Sequence, residues 1–320
     1  MARMWGSSEK GTSSALKIQV ELDLSRGILV GPFLTNGKDT DVTSVLNKMI
    51  LPSGSLQIGD LGYWSIGVFK EIEQNQSYFL SRYKTMTAAF DKEGKRWDVC
   101  ELLEAQGSSE IDMEIELGVE DRFRCRLLAT RVPSQVAAQR RRKWRAEAKR
   151  EGHTLSKQKL AMADWSIFLT NVAQSLLTLK EALVLARARW QIELLFKLCK
   201  SYGQIDKSRS QKTWRILCEL YAKLIIMVIE HWILIVGCWA FPSRSLPKAV
   251  QLIQKHAFHL ASVFVSFFNL RKALSIIVRG LARCLMNKRK SKPNTYQLLI
   301  DLADFYSVSE DSPQILSICA

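Results

Sequence analysis

The chain has 320 residues, 47% of them hydrophobic and 24% charged, with 46 Lys and Arg against 31 Asp and Glu for a formal net charge of +15. That length and apolar content bury a sizeable core and allow about two domains, which excludes a disordered chain and a disulfide-stapled miniature fold. The basic excess points to a polyanionic partner, nucleic acid or anionic lipid. Seven cysteines stand as singletons without a CxxC pair, a pattern of a reducing compartment and not of a zinc ribbon. The stretch from Met1 to Gly6 runs into polar residues, so no export is expected.

Apolar and polar residues alternate over 15–23, a Ser-Arg-Gly turn follows, and a second β-rich run covers 28–34, which predicts a hairpin. An acidic start predicts a short helix over 41–50. A Pro-Ser-Gly turn then leads to a strand over 55–60, with Asp60 at its carboxyl end. Residues 63–73 fit a helix and 77–83 a strand, so the core is expected to be α/β, a sheet covered by helices. From 85 to 132 shorter alternating runs, 96–103, 111–117 and 122–130, predict a β-rich insertion.

The insertion leads into a predicted helix over 139–150, in which Arg140, Arg141, Arg142, Lys143 and Arg145 surround Trp144. Such a density of charge stays in solvent, either as a plain solvated face or as a contact for the phosphate backbone, with Trp144 a candidate for base stacking. A strand over 165–171 precedes a long helix over 179–202, and the pattern beyond is helical: 214–241, 249–268 and 270–286. Glu230 and His231 interrupt the apolar run 224–241, which reads as a buried soluble helix, not a membrane span. The basic run 288–292 reads as a loop, solvated or touching DNA. His256 and His259 lack nearby acids and read as core or boundary histidines. GxxxxGK[ST], HExxH and GxSxG motifs are missing from the sequence, which argues against P-loop NTPases, zincins and serine hydrolases.

On the long helix, Arg189, Glu193 and Lys200 project within about 40° of one another at 100° per residue. The rest of that helix is mostly apolar, as expected of one buried against several neighbours. Glu193 therefore needs a cation: Arg189 as an i,i−4 partner, or a divalent metal shared with another carboxylate. Helix geometry alone favours the ion pair. Asp60, an acid at a strand end, is the candidate second ligand, since two carboxylates can converge on hard cations that polarise a phosphodiester.

The segments 59–64, 165–172 and 187–197 resemble bacterial insertion-sequence transposases of the DDE class, in the insertion-sequence four family. Their signature is Tyr, two residues, Arg, three residues, Glu, six residues, Lys; Arg189, Glu193 and Lys200 fit it, and Ala186 stands at the Tyr place. The resemblance implies a ribonuclease H-like catalytic core interrupted by a β-rich insertion and followed by a helical C-terminal region. The corresponding division is 1–84 for the first part of the core and 85–163 for the insertion and basic helix. The Glu-bearing remainder of the core follows over 164–210, then the helical region over 211–320.

By the same resemblance Asp60 and Glu193 are the second and third catalytic carboxylates and hold Mg²⁺, while Arg189 and Lys200 touch the DNA backbone. Ala186 in place of Tyr is expected to weaken DNA positioning more than metal binding. The family's first catalytic Asp, on a strand ahead of the hairpin, finds no counterpart, so the two-metal site is expected to be incomplete and the chain a truncated, impaired copy. Asp23, Asp39 and Asp41 are the early acids available as substitutes, and the hairpin is expected to keep an unpaired edge. The expected partners are double-stranded DNA at terminal inverted repeats and a second copy or a full-length transposase, with no membrane, in the bacterial cytoplasm at the nucleoid. The alternative is an inhibitor that binds DNA or transposase without cutting.

Overall fold

The computed structural model describes residues 16–241, 243–286 and 318–319, so the basic run 288–292 lies outside the described residues. Two units divide them: residues 40–186 form one, and residues 16–39 with 187–286 form the other.

The first unit is built on a mixed sheet. Strand β3 (Leu56–Gly59), helix α2 (Ile66–Gln74) and strand β4 (Tyr78–Arg82) make a parallel crossover, paired from Leu56↔Tyr78 to Gly59↔Ser81. Strand β9 (Trp165–Thr170) runs antiparallel to β4, and β8 (Phe123–Arg131) lies antiparallel to β9. Next come β7 (Glu110–Leu117), β5 (Ala89–Phe90) and β6 (Arg96–Trp97); the two-residue strand β10 (Ile318–Cys319) flanks β3 at the other end. The segment read as a β-rich insertion thus adds its strands to the sheet that carries Asp60.

Side-chain patterns explain the order. Strand β8 is buried without interruption from Cys125 to Ala129, as in a strand covered on both faces. Strand β7, farther out, alternates between buried and accessible positions. Leu103, Leu117, Leu127, Leu128 and Leu169 are completely buried in this core, and the Phe69 ring stacks on Phe79 at 4.0 Å.

The run 96–103, expected as strand, splits into β6 and a helix, α3 (Val99–Ala105). Asp98 is the reason: its Oδ1 accepts from Cys100 N at 2.7 Å and Glu101 N at 3.3 Å, an N-cap that satisfies the first helical amides. The short helix expected over 41–50 forms as a 3₁₀ turn, Asp41–Thr43, followed by α1 (Val45–Lys48), whose cap Ser44 Oγ accepts from Leu46 N.

In the second unit, strands β1 (Leu16–Leu22) and β2 (Leu29–Asn36) form the expected hairpin as a separate two-stranded sheet, with a register shift between Gln19 and Glu21. Helix α8 (Thr213–Leu234) continues as a π-helical turn over Ile235–Trp239. Helices α9 (Leu246–Lys255), α10 (Ala257–Val263) and α11 (Phe267–Leu281) follow. Leu224 and Met227 of α8 pack with Cys199, and Ile18 and Leu34 of the hairpin close over them. Ile233, Leu234 and Cys238 meet Val250, Ile253, Ile277 and Leu281 in a second cluster. The buried His231 places Nε2 2.6 Å from the Gly27 carbonyl, tying α8 to the hairpin turn.

Thr213–Trp239 is the one helix among the described residues long and apolar enough to cross a membrane. The burial expected for it holds on a single face. Leu217, Leu224, Met227, His231 and Leu234 point into the unit, whereas Trp214, Ile225 and Trp232 are exposed.

Candidate catalytic and nucleic-acid-binding residues

Asp60 follows directly on β3 and is exposed, at the carboxyl end of the parallel pair, where open α/β sheets bind ligands. Its carbonyl accepts from Tyr63 N at 3.0 Å, which closes the 3₁₀ turn Leu61–Tyr63. A side chain on Gly62 would meet the Asp41 carboxylate, with Oδ2 2.5 Å from the Cβ position. The Asp-Leu-Gly-Tyr run is therefore the turn that seats the Asp41 side chain. The Tyr63 phenol is pushed up to about 12, first by burial and then by the charges of Asp41 and Asp60, which both disfavour a phenolate. Asn47 fastens the Asp41 segment here: its Nδ2 donates to the carbonyls of Val42 at 3.0 Å and Tyr63 at 3.3 Å.

Among the early acids, Asp41 is thus the one beside the Asp60 turn. The Asp23 carboxylate instead accepts from Ser25 N, Ser25 Oγ and Arg26 N at the hairpin turn. Asp39 Oδ2 accepts from Asn36 N at 3.1 Å. Sequence reasoning placed Asp41 at a helix start; the bare Cα of Gly62 was the local signal that something packs against this turn.

Glu193 lies in the first turn of α7 (Trp190–Ser201), and its Oε1 is 2.7 Å from Arg189 Nη1. Of the two cations open to Glu193, the arrangement within this helix is the arginine. Lys200 sits two turns on, exposed in the last turn. The continuous helix expected over 179–202 is interrupted: α6 (Leu179–Ala188) and α7 flank Arg189, which keeps helical dihedrals of φ −50° and ψ −30°. Ile192 N bonds the Arg189 carbonyl at 3.3 Å in a tighter ring, and the apolar period runs through this step without registering it. Helix α6 starts on a capping box, with Thr178 N donating to Glu181 Oε2 and Glu181 N to Thr178 Oγ1. Helix α7 is less buried than its apolar content suggests: Cys199 is its buried residue and Trp190 is exposed. Asp60 belongs to the first unit and Arg189, Glu193 and Lys200 to the second.

The predicted basic helix forms as α4 (Ser134–Glu151), ended by Gly152 in the left-handed conformation. Its five named cations divide into two sets. Arg140 donates to the Trp165 carbonyl at 2.8 Å and to Ser166 Oγ at 3.0 Å; burial, then the charge of Arg82, lowers its pKa. Arg141 donates to the Leu160 carbonyl of the short helix α5 (Lys157–Ala161) and pairs with Asp164. These two hold α4 against β9 and the turn before it. Arg142, Lys143 and Arg145 are exposed, as is Lys149. Arg142, Arg145 and Lys149 fall within about 60° of one another on the outer face. Trp144 is half-buried, and Lys159 Nζ lies over its ring at 5.0 Å, so the stacking face is already occupied by a cation.

Among the described residues, no group of three or more His, Cys, Asp or Glu side chains is arranged to hold a metal ion. Asp60 and Asp41 are oxygen donors of the kind a hard divalent cation takes, whereas the Glu193 carboxylate is engaged by Arg189. The fit to a metal is therefore partial: the donor chemistry suits a hard cation, but no three-ligand group is formed among the described residues.

Comparison with known proteins accounts for these segments. The family described as "Transposase DDE domain" matches residues 2–229, which include Asp60, Arg189, Glu193 and Lys200. The chain is 25% identical over 260 residues to the transposase for insertion sequence element IS1151 of Clostridium perfringens, covering 75% of this chain and 54% of that protein. It is 28% identical over 330 residues to the transposase for insertion sequence element IS231F of Bacillus thuringiensis subsp. israelensis, covering 93% of this chain and 67% of that protein. The chain thus spans about half to two thirds of the length of these relatives. No solved structure matches it. With the matched family covering most of the chain, and both the strand-end acid and the Arg-Glu-Lys helix inside the match, the protein belongs to the DDE transposase family.

Proposed function

We propose that this chain acts in DNA transposition, in metal-dependent cleavage and transfer of DNA strands at the ends of an insertion sequence, through a ribonuclease H-like core. The observation that carries the reading is the position of Asp60 at the open carboxyl end of a parallel strand pair, in a chain whose family match also takes in Glu193. Asp60 and Glu193 are the metal carboxylates in this reading. Bound Mg²⁺ would supply Lewis-acid activation of the phosphodiester and of the attacking hydroxyl. The residues of the chain do the remaining work. Asp60 offers an exposed carboxylate at a rigid turn, and Arg189 holds Glu193 until DNA draws the guanidinium toward a phosphate. Lys200 adds a second backbone contact on the same helix, and the outer face of α4 adds Arg142, Lys143 and Arg145. Arg140 and Arg141 contribute by fixing α4 in place.

The substrate in this reading is double-stranded DNA carrying terminal inverted repeats, met in the bacterial cytoplasm at the nucleoid, and the working partner is a second copy or a full-length transposase. The test is nicking of an end-bearing DNA duplex with Mg²⁺ by the purified chain. Asp60→Asn and Glu193→Gln are each expected to reduce the rate at least about 100-fold, and unchanged nicking in both variants refutes the assignment. Replacing Arg142 and Arg145 by Ala is expected to flatten the salt dependence of duplex binding, by up to about 0.9 in log–log slope per lost phosphate contact.

A second reading has its own observation: the Arg189–Glu193 pair, with no three-carboxylate group among the described residues. It is a chain that binds DNA or an intact transposase and blocks transposition without cutting. Co-expression with an active full-length relative separates the two, because the inhibitor lowers transposition whether or not Asp60 is intact.

A further inference from the structure

The outward face of α8 carries a regularity that the DNA chemistry leaves unused. Trp214, Cys218, Tyr221, Ile225, Ile229, Trp232 and Val236 all lie on the exposed side. At 100° per residue those from Trp214 to Trp232 fall within an arc of about 80° over about 27 Å, and the exposed Val236, on the π-helical turn that follows, extends the stripe. The helix's charges lie outside that arc: Glu219 pairs with Lys223 at 2.7 Å, and Glu230 Oε1 accepts from Gln254. The opposite side is held by His231 and the apolar clusters, so the stripe is a second apolar face on a helix already anchored in its own unit.

The spacing of the stripe reads the same in both directions about Ile225. Tyr221 and Ile229 lie four residues to either side of it, Cys218 and Trp232 seven, and Trp214 and Val236 eleven. Two copies packed antiparallel on a two-fold axis at Ile225 would set Trp214 against Val236, Trp232 against Cys218, Tyr221 against Ile229, and Ile225 against itself. Each large side chain meets a smaller one, as interdigitating helices require. A parallel pair would set Trp against Trp at two levels. With three aromatic side chains among its members the stripe offers on the order of 800 Å² of surface, about what one side of a standard protein interface buries.

We propose that α8 is an isologous docking surface for a second copy of this chain, packed antiparallel with Ile225 on the two-fold axis. The proposal stands independently of the cleavage reading, since it involves neither DNA nor metal. A bilayer would also take an apolar stripe. It is the weaker fit, because the flanking Glu219, Lys223 and Glu230 would have to leave water along the same helix.

The experiment uses the full chain without DNA. Light scattering is expected to show a dimer, and Ile225→Glu a folded monomer by circular dichroism, with a dissociation constant raised at least about 30-fold. With Cys218 changed to Ser, Ile225→Cys is expected to form an interchain disulfide on treatment with diamide, whereas native Cys218, facing Trp232, does not link to its counterpart. A native chain that stays monomeric at high micromolar concentration overturns the proposal. So does a Cys218–Cys218 crosslink, which marks a parallel pair, or flotation of the native chain with phosphatidylcholine vesicles that Ile225→Glu abolishes.

Discussion

The sheet unit and the helical unit handle their apolar residues differently. In residues 40–186 the large aliphatic side chains of β7, β8, β9 and α3 are buried, and Leu103, Leu117, Leu127 and Leu169 are shut off from water. In the helical unit the same kinds of residue divide between an inner face and an outer one. Ile233, Leu234 and Leu281 are buried, while Ile225, Trp232, Phe264, Phe267 and Phe268 remain in solvent. Exposed apolar surface on this scale marks a site of association. A sheet with strands on both sides completes its own core, whereas a long helix can serve its fold with one face and a partner with the other.

That contrast is open to attack by substitution. The largest effect is expected in the closed core: Leu127→Ala removes a fully buried side chain from a strand covered on both sides and is expected to destabilise the sheet unit by about 2–5 kcal/mol in urea unfolding. A loss below about 1 kcal/mol would show a core looser than its burial implies.

Nearly as large is the ion pair inside that unit. Arg126, 8% exposed, has Nε and Nη2 on the two oxygens of Asp112, and its Nη1 donates to the Val172 carbonyl at 2.6 Å and to that of Leu177 at 3.1 Å. Asp112→Ala leaves a buried guanidinium without its counter-charge, and about 3 kcal/mol is expected to be lost. The double variant Asp112→Ala with Arg126→Met should recover only part of it, because the Val172 and Leu177 carbonyls then lose their donor.

In the helical unit the tightest position is Gly237, where an added Cβ would lie 2.2 Å from Leu281 Cδ1, and Leu281 is fully buried. Gly237→Ala is expected to cost about 1–3 kcal/mol through overpacking, read as a lower unfolding midpoint, with the sheet unit's transition unchanged if the two unfold separately.

The smallest effect is a pH dependence. Burial depresses the His231 pKa, and donation to the Gly27 carbonyl only partly offsets it. The unfolded chain takes up a proton at this position near pH 6.5, whereas the folded chain resists it. Stability from His231 is therefore constant above about pH 6.5 and falls as the pH drops from there toward the depressed folded value. Glu230 and Glu21, whose carboxyls burial raises, act in the opposite sense at more acidic pH. The measurement is therefore the difference between native chain and His231→Gln, which should lose the fall below about pH 6.5; identical pH profiles would refute it.

Local pattern carried much of the fold. The alternation over 15–34 is a hairpin, the runs 55–60 and 77–83 are the parallel strands, and Asp60 does end a strand. The Arg189–Glu193 pair was legible too, because i,i+4 geometry is a property of one helix. The failures are instructive for the same reason. A single cap at Asp98 turned an alternating run into α3. The five basic residues of α4 read alike in sequence, yet Arg140 and Arg141 face the turn at Asp164 and the start of β9, and only the arrangement of those elements separates them from Arg142, Lys143 and Arg145.

Sequence alone determined most of the strands and helices, where the acids and cations sit along them, and the family they signal, since each follows from period, spacing or a short motif. Tertiary structure decided that the strands between 85 and 132 join the Asp60 sheet, that Asp41 fills the space Gly62 leaves, and that one face of α8 stays uncovered. Those outcomes depend on pairings between residues far apart in the chain, and neither local period nor spacing encodes which distant surface a side chain will meet.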